Sequence, residues 1–187
     1  MIQVYIGDGK GKTTVAFGLA MRASGHGYKV RVIQFMKGNT YTGELYAAEK
    51  LGIEVLQFGR TCPHAAVIKS GFMVCQECGQ CWINAQTITD LDRQKNNLGW
   101  QLAKDTIINN EHDLLILDEI LSAVEEGLVV QNGLIQWLKQ VPENIEIVLT
   151  GRSASLEVIA IADLVSEIKQ VKHPYNRGFK SRRGIEY

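Results

Sequence analysis

Lys12 and Thr13 close a glycine-rich run, Gly7-Asp8-Gly9-Lys10-Gly11-Lys12-Thr13-Thr14, whose residue types and spacing suit the holding of phosphate. Glycines let backbone N–H groups turn inward around phosphate oxygens, and a helix starting there adds a favourable dipole. Lys12 supplies a point charge, and a hydroxyl such as that of Thr13 ligates Mg²⁺ in such loops. The common motif places four residues between its first glycine and Gly-Lys. Here only Asp8, Gly9 and Lys10 intervene, so the loop is one residue tight. A plain glycine turn with solvated lysines is the competing reading. The apolar run before the loop and the helical pattern after it argue against that.

A second constellation is Leu114-Leu115-Ile116-Leu117-Asp118-Glu119, an apolar strand ending in two carboxylates. Parallel sheets bind ligands at their carboxyl edge, so Asp118 or Glu119 is expected to reach a Mg²⁺ held by Thr13. The alternative is a buried strand ending in a solvated acidic pair. The third constellation is Cys75, Cys78 and Cys81, each separated from the next by two residues, with Cys62 thirteen positions upstream. Four thiolates are the number that tetrahedral zinc or an iron–sulfur cluster requires. The spacing leaves zinc, iron–sulfur and unliganded loop cysteines all open.

These groups need a scaffold that brings strand ends together. Apolar runs at 2–6, 29–35, 53–58, 113–117, 145–150 and 164–171 read as strands. Helical patterns at 12–23, 44–51, within 83–109, at 121–126, 134–140 and 156–162 alternate with them. In the long helix Ile88, Leu91, Leu98 and Leu102 fall roughly on one face. Strand–helix alternation implies right-handed crossovers and a parallel sheet covered on both faces. The fold class expected is α/β, a P-loop NTPase-like (RecA-like) sheet. The 187 residues fit one nucleotide-binding domain over 1–187, with a cysteine-rich insertion at about 59–82.

Composition narrows the function classes. Twenty basic residues balance twenty acidic ones, whereas a chain that coats nucleic acid carries a basic excess. No apolar stretch is long enough to span a bilayer and no secretory pattern opens the sequence. A cytoplasmic protein is expected, with its cysteines as thiols or metal ligands rather than disulfides.

Further stretches carry a resemblance: Gln34-Phe35-Met36-Lys37-Gly38, Thr150-Gly151-Arg152, and Val171-Lys172-His173-Pro174 with Gly184-Ile185-Glu186-Tyr187. With the tight phosphate loop and Leu117-Asp118-Glu119, the chain resembles the P-loop-type ATP:corrinoid adenosyltransferases over nearly all its length except Gly59–Trp82. The resemblance implies transfer of the 5′-deoxyadenosyl group of ATP to the cobalt of a reduced corrinoid, with triphosphate leaving, in adenosylcobalamin biosynthesis or salvage. It also implies a nucleotide reversed relative to most P-loop enzymes, which suits the short loop. Gly9 through Thr14 then bind triphosphate, within a nucleotide-binding loop that includes Gly7 and Asp8. Thr13 and Glu119 are the implied Mg²⁺ pair, with Asp118 beside them. Lys12, Glu119 and Arg152 are the implied catalytic set, and His173 and Lys180 line the nucleotide or corrinoid site.

One stretch departs from the family. Members carry an aromatic Gly-Phe-Thr-Trp segment after the third strand, implicated in the corrinoid's lower face. Here Gly59-Arg60-Thr61-Cys62-Pro63 stands instead, and Phe72 or Trp82 are the aromatic residues available to replace it. ATP, Mg²⁺ and a corrinoid are the small molecules expected, with a zinc or iron–sulfur centre on Cys62, Cys75, Cys78 and Cys81. A reductase and a second copy of the chain, as a homodimer, are the protein partners expected; nucleic acid and membrane are not. A P-loop NTPase or kinase-like phosphotransferase is the competing function, with Glu119 positioning the attacking group and the cysteine loop as a regulatory module.

Overall fold

The structure is a computed structural model describing residues 1–38, 42–76, 78–179, 182 and 184–185. Six strands form one sheet: β1 (Ile2–Ile6), β2 (Val30–Lys37), β3 (Glu54–Arg60), β4 (Leu114–Asp118), β5 (Glu146–Thr150) and β6 (Leu164–Glu167). Their order is β3-β2-β4-β5-β1-β6, and every pair is parallel. This is the α/β P-loop fold read from the sequence. β5 separates the phosphate-loop strand β1 from the acidic strand β4, so both open onto one edge with a single strand between them.

Among the described residues seven α-helices accompany the sheet: α1 (Lys12–Gly25), α2 (Gly43–Lys50), α3 (Ala65–Lys69), α4 (Asp90–Asn109), α5 (Ile120–Glu125), α6 (Gln131–Leu138) and α7 (Leu156–Ile161). Side chains alternate across a strand, and β4 shows why it reads as unbroken aliphatics. Leu115 and Leu117 pack with Ala103, Ile107, Leu134 and Leu138 on one face. Leu114 and Ile116 pack with Ala16, Ala20 and Ala48 on the other. A strand covered on both sides has no solvent face to make polar.

The long helix lies within the expected span but differs from expectation in its buried face. It begins at Asp90, past Ile88, because Thr89 caps it: the Thr89 hydroxyl accepts from the Asp92 N–H, and the Asp92 carboxylate accepts from the Thr89 N–H. Its buried residues are Asp92, Asn96, Gly99, Ala103, Thr106 and Ile107, while Leu91 and Leu98 are exposed. Polar and small residues face inward because the helix meets the ends of β2 and β3. Asn96 Oδ1 accepts from the Met36 N–H at 3.2 Å, and a Cβ on Gly99 would lie 2.9 Å from the Phe58 ring.

Two strand limits also shift. β3 continues through Gly59 and Arg60, which pair with Met36 and Lys37, so the cysteine-bearing excursion starts after Arg60. β6 ends at Glu167 instead of Val171. There the Ile168 N–H donates to Ile6, and its carbonyl accepts from the Gly9 N–H at 2.9 Å, turning the chain into the wall of the phosphate loop.

Candidate functional site

The carboxyl ends of β1, β2, β4 and β5 converge on one buried carboxylate. Asp118 is fully buried, and four side chains donate to it. Thr150 Oγ1 reaches Oδ1 at 2.7 Å and Thr13 Oγ1 reaches the same oxygen at 3.0 Å. Gln34 Nε2 and Lys37 Nζ reach Oδ2 at 2.9 and 2.8 Å. Burial pushes the Asp118 pKa up, but the Lys37 charge and the hydrogen bonds from Lys37, Thr150 and Gln34 outweigh it and hold the pKa below the usual carboxylate range. Burial works against the Lys37 ammonium too, and the Asp118 carboxylate reverses that, leaving Lys37 above the ordinary lysine value.

The phosphate loop is folded on itself. Lys12 Nζ donates to the Gly7 carbonyl at 2.7 Å and to the Gly9 carbonyl at 3.0 Å. The Gly7 N–H donates to the Arg152 carbonyl at 2.9 Å, which ties the loop to the end of β5. Gly7 has φ 122, and a Cβ there would stand 2.3 Å from the Ile168 carbonyl oxygen; at Gly9 the same contact would be 2.7 Å. Glycine is needed here for close approach to the neighbouring backbone.

Two non-glycine residues at strand ends hold left-handed backbone, Met36 at φ 59 and Glu119 at φ 61. Such conformations cost on the order of 1 kcal/mol or more each and persist only where surroundings enforce them. The Met36 N–H is held by Asn96, and the Glu119 N–H donates to Thr150 Oγ1 at 2.8 Å. The Glu119 carboxylate accepts from Ser122 Oγ at 2.6 Å. Asp118 therefore lies against the Thr13 hydroxyl, while Glu119 faces open space.

That space comprises two cavities. One, of ≈ 620 Å³, is lined by Gly9 through Thr14, by Phe17, Glu44 and Glu119, and by Gly184 and Ile185 of the tail. The other, of ≈ 900 Å³, is lined by Asp8, Met36, Trp82, Glu119, Arg152 and His173 among others. Gly9, Lys10, Lys12, Lys37, Thr42 and Glu119 line both. The structure thus gathers Asp8 through Thr14, Glu119, Arg152 and His173 around one divided opening, with Gly7 beneath it. Trp82 lines the larger cavity, and Phe72, which is 90% exposed, does not. Lys180 lies outside the described residues. Lys37, Gln34 and Thr150 are site residues that sequence reasoning did not single out, although Gln34 stands as an amide between the apolar residues Ile33 and Phe35.

Of the four cysteines, Cys81 lines the larger cavity. Cys62 is buried, Cys75 and Cys81 are half-buried, Cys78 is exposed, and all four are free thiols. Burial pushes the Cys81 thiol pKa up, and the charges of Cys62, Cys75 and Cys78 push it further. Among the described residues no group of three or more His, Cys, Asp or Glu stands at metal-holding spacing. The excursion is gathered at its neck by Arg60. Its Nη2 donates to Asp92 Oδ2 at 2.6 Å and to the Thr87 carbonyl, and its Nη1 to the Trp82 carbonyl at 3.2 Å. Among the described residues, no helix is long and apolar enough to cross a membrane.

Comparison with known proteins places this geometry. A sequence model for ATP:corrinoid adenosyltransferase BtuR/CobO/CobP matches residues 1–187. The chain is 34% identical over 187 residues to the corrinoid adenosyltransferase of Escherichia coli (strain K12), covering 100% of this chain and 85% of that protein. It is 33% identical over 187 residues to the corrinoid adenosyltransferase CobA of Salmonella typhimurium (strain LT2), with the same coverage of 100% and 85%. Among solved structures, domain III of the Thermotoga maritima replication initiation protein DnaA aligns with a TM-score of 0.39 at 13% identity, over 89% of this chain and 53% of that one.

Proposed function

Since the chain belongs to the ATP:corrinoid adenosyltransferase family, we propose that its phosphate loop holds the triphosphate of ATP while a reduced corrinoid enters the larger cavity. The enzyme transfers the adenosyl group of ATP to the corrinoid. In this reaction the electron pair of cobalt(I) forms a bond to C5′ of the ribose. The C5′–O bond breaks, and its electron pair leaves with triphosphate. Cobalt(I) is itself a strong nucleophile, so no protein side chain need be activated. The protein's work is to align the two substrates and to stabilise charge on the departing group.

The observation that supports this reading best is the position of the phosphate loop between two cavities that share Lys12, Lys37 and Glu119. Hydrolysis of ATP needs room only for water beside the terminal phosphate. Transfer from C5′ needs a second, wide substrate reaching the other end of the same nucleotide. Lys12 and the loop N–H groups would neutralise the triphosphate from within the loop, and Arg152, on the wall of the larger cavity, would do so from the opposite side. His173 on that wall would contact nucleotide or corrinoid, as would Lys180.

The donor set suits Mg²⁺. The Thr13 hydroxyl and the Asp118 carboxylate lie 3.0 Å apart with a cationic group already bridging them, and Glu119 is open to the same space. Bound there, Mg²⁺ would supply further charge neutralisation on the triphosphate. We also propose that Cys62, Cys75, Cys78 and Cys81 hold one zinc or iron–sulfur centre, which would draw them together. The four thiols share one excursion between β3 and α4 with little regular structure, and Gly79 at φ 74 supplies the tight turn between Cys78 and Cys81. The cobalt(I) form is reached by reduction, so a reductase or an equivalent low-potential reductant belongs to the partner set.

The test is incubation with ATP, Mg²⁺ and chemically reduced corrinoid. The light-sensitive cobalt–carbon product and the released phosphate species are followed together. Triphosphate in step with the cobalt–carbon bond supports the reading. Rapid orthophosphate release without corrinoid would replace it with nucleotide hydrolysis.

A further inference from the structure

The Lys37 ammonium sits where a divalent cation would be expected. It lies 2.8 Å from Asp118 Oδ2 and 3.1 Å from Thr13 Oγ1, bridging the hydroxyl and the carboxylate that the preceding reading gives to Mg²⁺. A carboxylate offers about four lone-pair positions, and Asp118 fills them with Thr13, Thr150, Gln34 and Lys37. A metal ion can therefore reach Asp118 only by displacing one donor.

Three of those donors are poorly suited to leave. Gln34 is fully buried in the middle of β2, and its own carbonyl accepts from Gln57 at 2.8 Å. Thr150 is fully buried and also receives the Glu119 N–H. Thr13 is itself a metal-ligand type on the first turn of α1. Lys37 differs on each count. It ends its strand, its side chain is 28% exposed, and it lines both cavities. Its backbone is held in the sheet, where Lys37 pairs with Arg60 of β3. The flexible four-carbon stem of lysine can carry the charge away while the chain stays in place.

We propose that Lys37 is a positioning residue that serves as a tethered counter-cation: it keeps divalent metal off the Thr13–Asp118 seat until nucleotide arrives, and then swings onto the triphosphate. With Lys37 seated, the buried carboxylate is neutralised, and an incoming divalent ion meets a like charge at contact distance. With nucleotide bound, the triphosphate offers the ammonium a better anionic partner and brings its own metal. Metal then enters only together with ATP. This inference rests on the Mg²⁺ reading of Thr13 and Asp118.

Mn²⁺ binding, measured by loss of the free-ion electron paramagnetic resonance signal, tests both without any turnover. Counted against a protein-free ATP control, since ATP alone also removes free Mn²⁺, the wild-type protein should take up Mn²⁺ in the presence of ATP and show at least tenfold weaker binding without it. Lys37→Met should bind Mn²⁺ without nucleotide at least tenfold more tightly than wild type, and adding Asp118→Asn should abolish that gain. Tight nucleotide-free binding by the wild type, lost in Asp118→Asn, overturns the inference and needs no Lys37 variant. Should Lys37→Met fold poorly, Lys37→Gln keeps a hydrogen-bond donor without the charge and carries the same expectation. If the wild type binds Mn²⁺ with ATP but folded Lys37 variants gain nothing, the inference fails alone. If no sample binds Mn²⁺ at all, the Mg²⁺ reading fails and this inference fails with it.

Discussion

Arg60 and Asp92 meet at 2.6 Å across 32 residues of sequence, and the pair closes the neck of the excursion that carries every cysteine. Asp92 does two jobs at once. It completes the cap of α4, and it anchors the guanidinium that also holds the Thr87 and Trp82 carbonyls.

That pairing sets an acid limit on stability. Burial alone would push Asp92 up, but the hydrogen bonds from Arg60 and Thr89 and the Arg60 charge bring its pKa down to about 2. A depressed folded-state pKa gives stability that is full above the unfolded carboxylate value, near 3.9, and lost as pH falls toward about 2. The shift corresponds to about 2 to 3 kcal/mol. Asp92→Asn should cost about that much in urea unfolding at pH 7, and the gap to wild type should close by about pH 2. A gap unchanged between pH 7 and pH 2 would assign the loss to packing rather than charge.

Lys12→Ala removes a charge whose hydrogen bonds among the described residues go to the Gly7 and Gly9 carbonyls, so the fold should survive. Adenosyl transfer should drop by at least about a hundredfold in kcat/KM, the scale for losing one preorganised charge-stabilising donor. Circular dichroism and the turnover assay, run on one preparation, check the pair of claims. Near-normal turnover would remove Lys12 from the phosphate site.

The two neighbouring carboxylates should separate by phenotype. Asp118→Asn leaves Lys37 without its buried partner and should destabilise by about 3 kcal/mol. Glu119→Gln touches no such network and should leave unfolding almost unchanged while lowering Mg²⁺-dependent turnover about tenfold or more. Denaturant midpoints and kcat for both variants decide it. Equal stability losses would mean that Glu119 also serves the fold.

Cys78 is the exposed member of the thiol group, so Cys78→Ser is the gentlest way to test the proposed centre. It should lower bound zinc or iron by elemental analysis and raise the corrinoid KM severalfold, with ATP affinity within about twofold of wild type. A colourless protein with zinc and a brown one with iron and sulfide are the two forms the centre can take. Metal-free wild-type protein with ordinary corrinoid kinetics would return the cysteines to plain loop residues.

Local signals were readable in the chain; distant partners were not. The phosphate loop and the acidic strand announced themselves because each is a short contiguous motif tied to a strand end. The order of elements followed from aliphatic runs that a parallel sheet requires. Lys37 stayed hidden because its meaning lies in Asp118, 81 residues away, and nothing in Gln34-Phe35-Met36-Lys37-Gly38 says which way the ammonium points. The buried face of α4 misled for a related reason. Periodicity assumes that burial means apolar, yet Asp92 and Asn96 are buried to satisfy Arg60, Thr89 and the Met36 N–H. His173 could be placed on the larger cavity's wall only once β6 was seen to stop at Glu167 and let the chain turn back.

The crowding of Gly7 and Gly9 against the Ile168 carbonyl bears on how a mutational scan of this protein would be scored. Any side chain at either position collides with the backbone leaving β6 before a nucleotide is ever met. An inactive Gly9→Ala clone would therefore report a displaced wall, and would say nothing about phosphate chemistry. Gly11 is the contrasting position: a Cβ there meets no atom within 4 Å, although its φ of 125 still disfavours side chains. Inactivity at Gly11 would trace to backbone conformation rather than collision. Three alternating glycines would thus give the same dead readout for two different reasons, and only structural data on the variants could tell them apart.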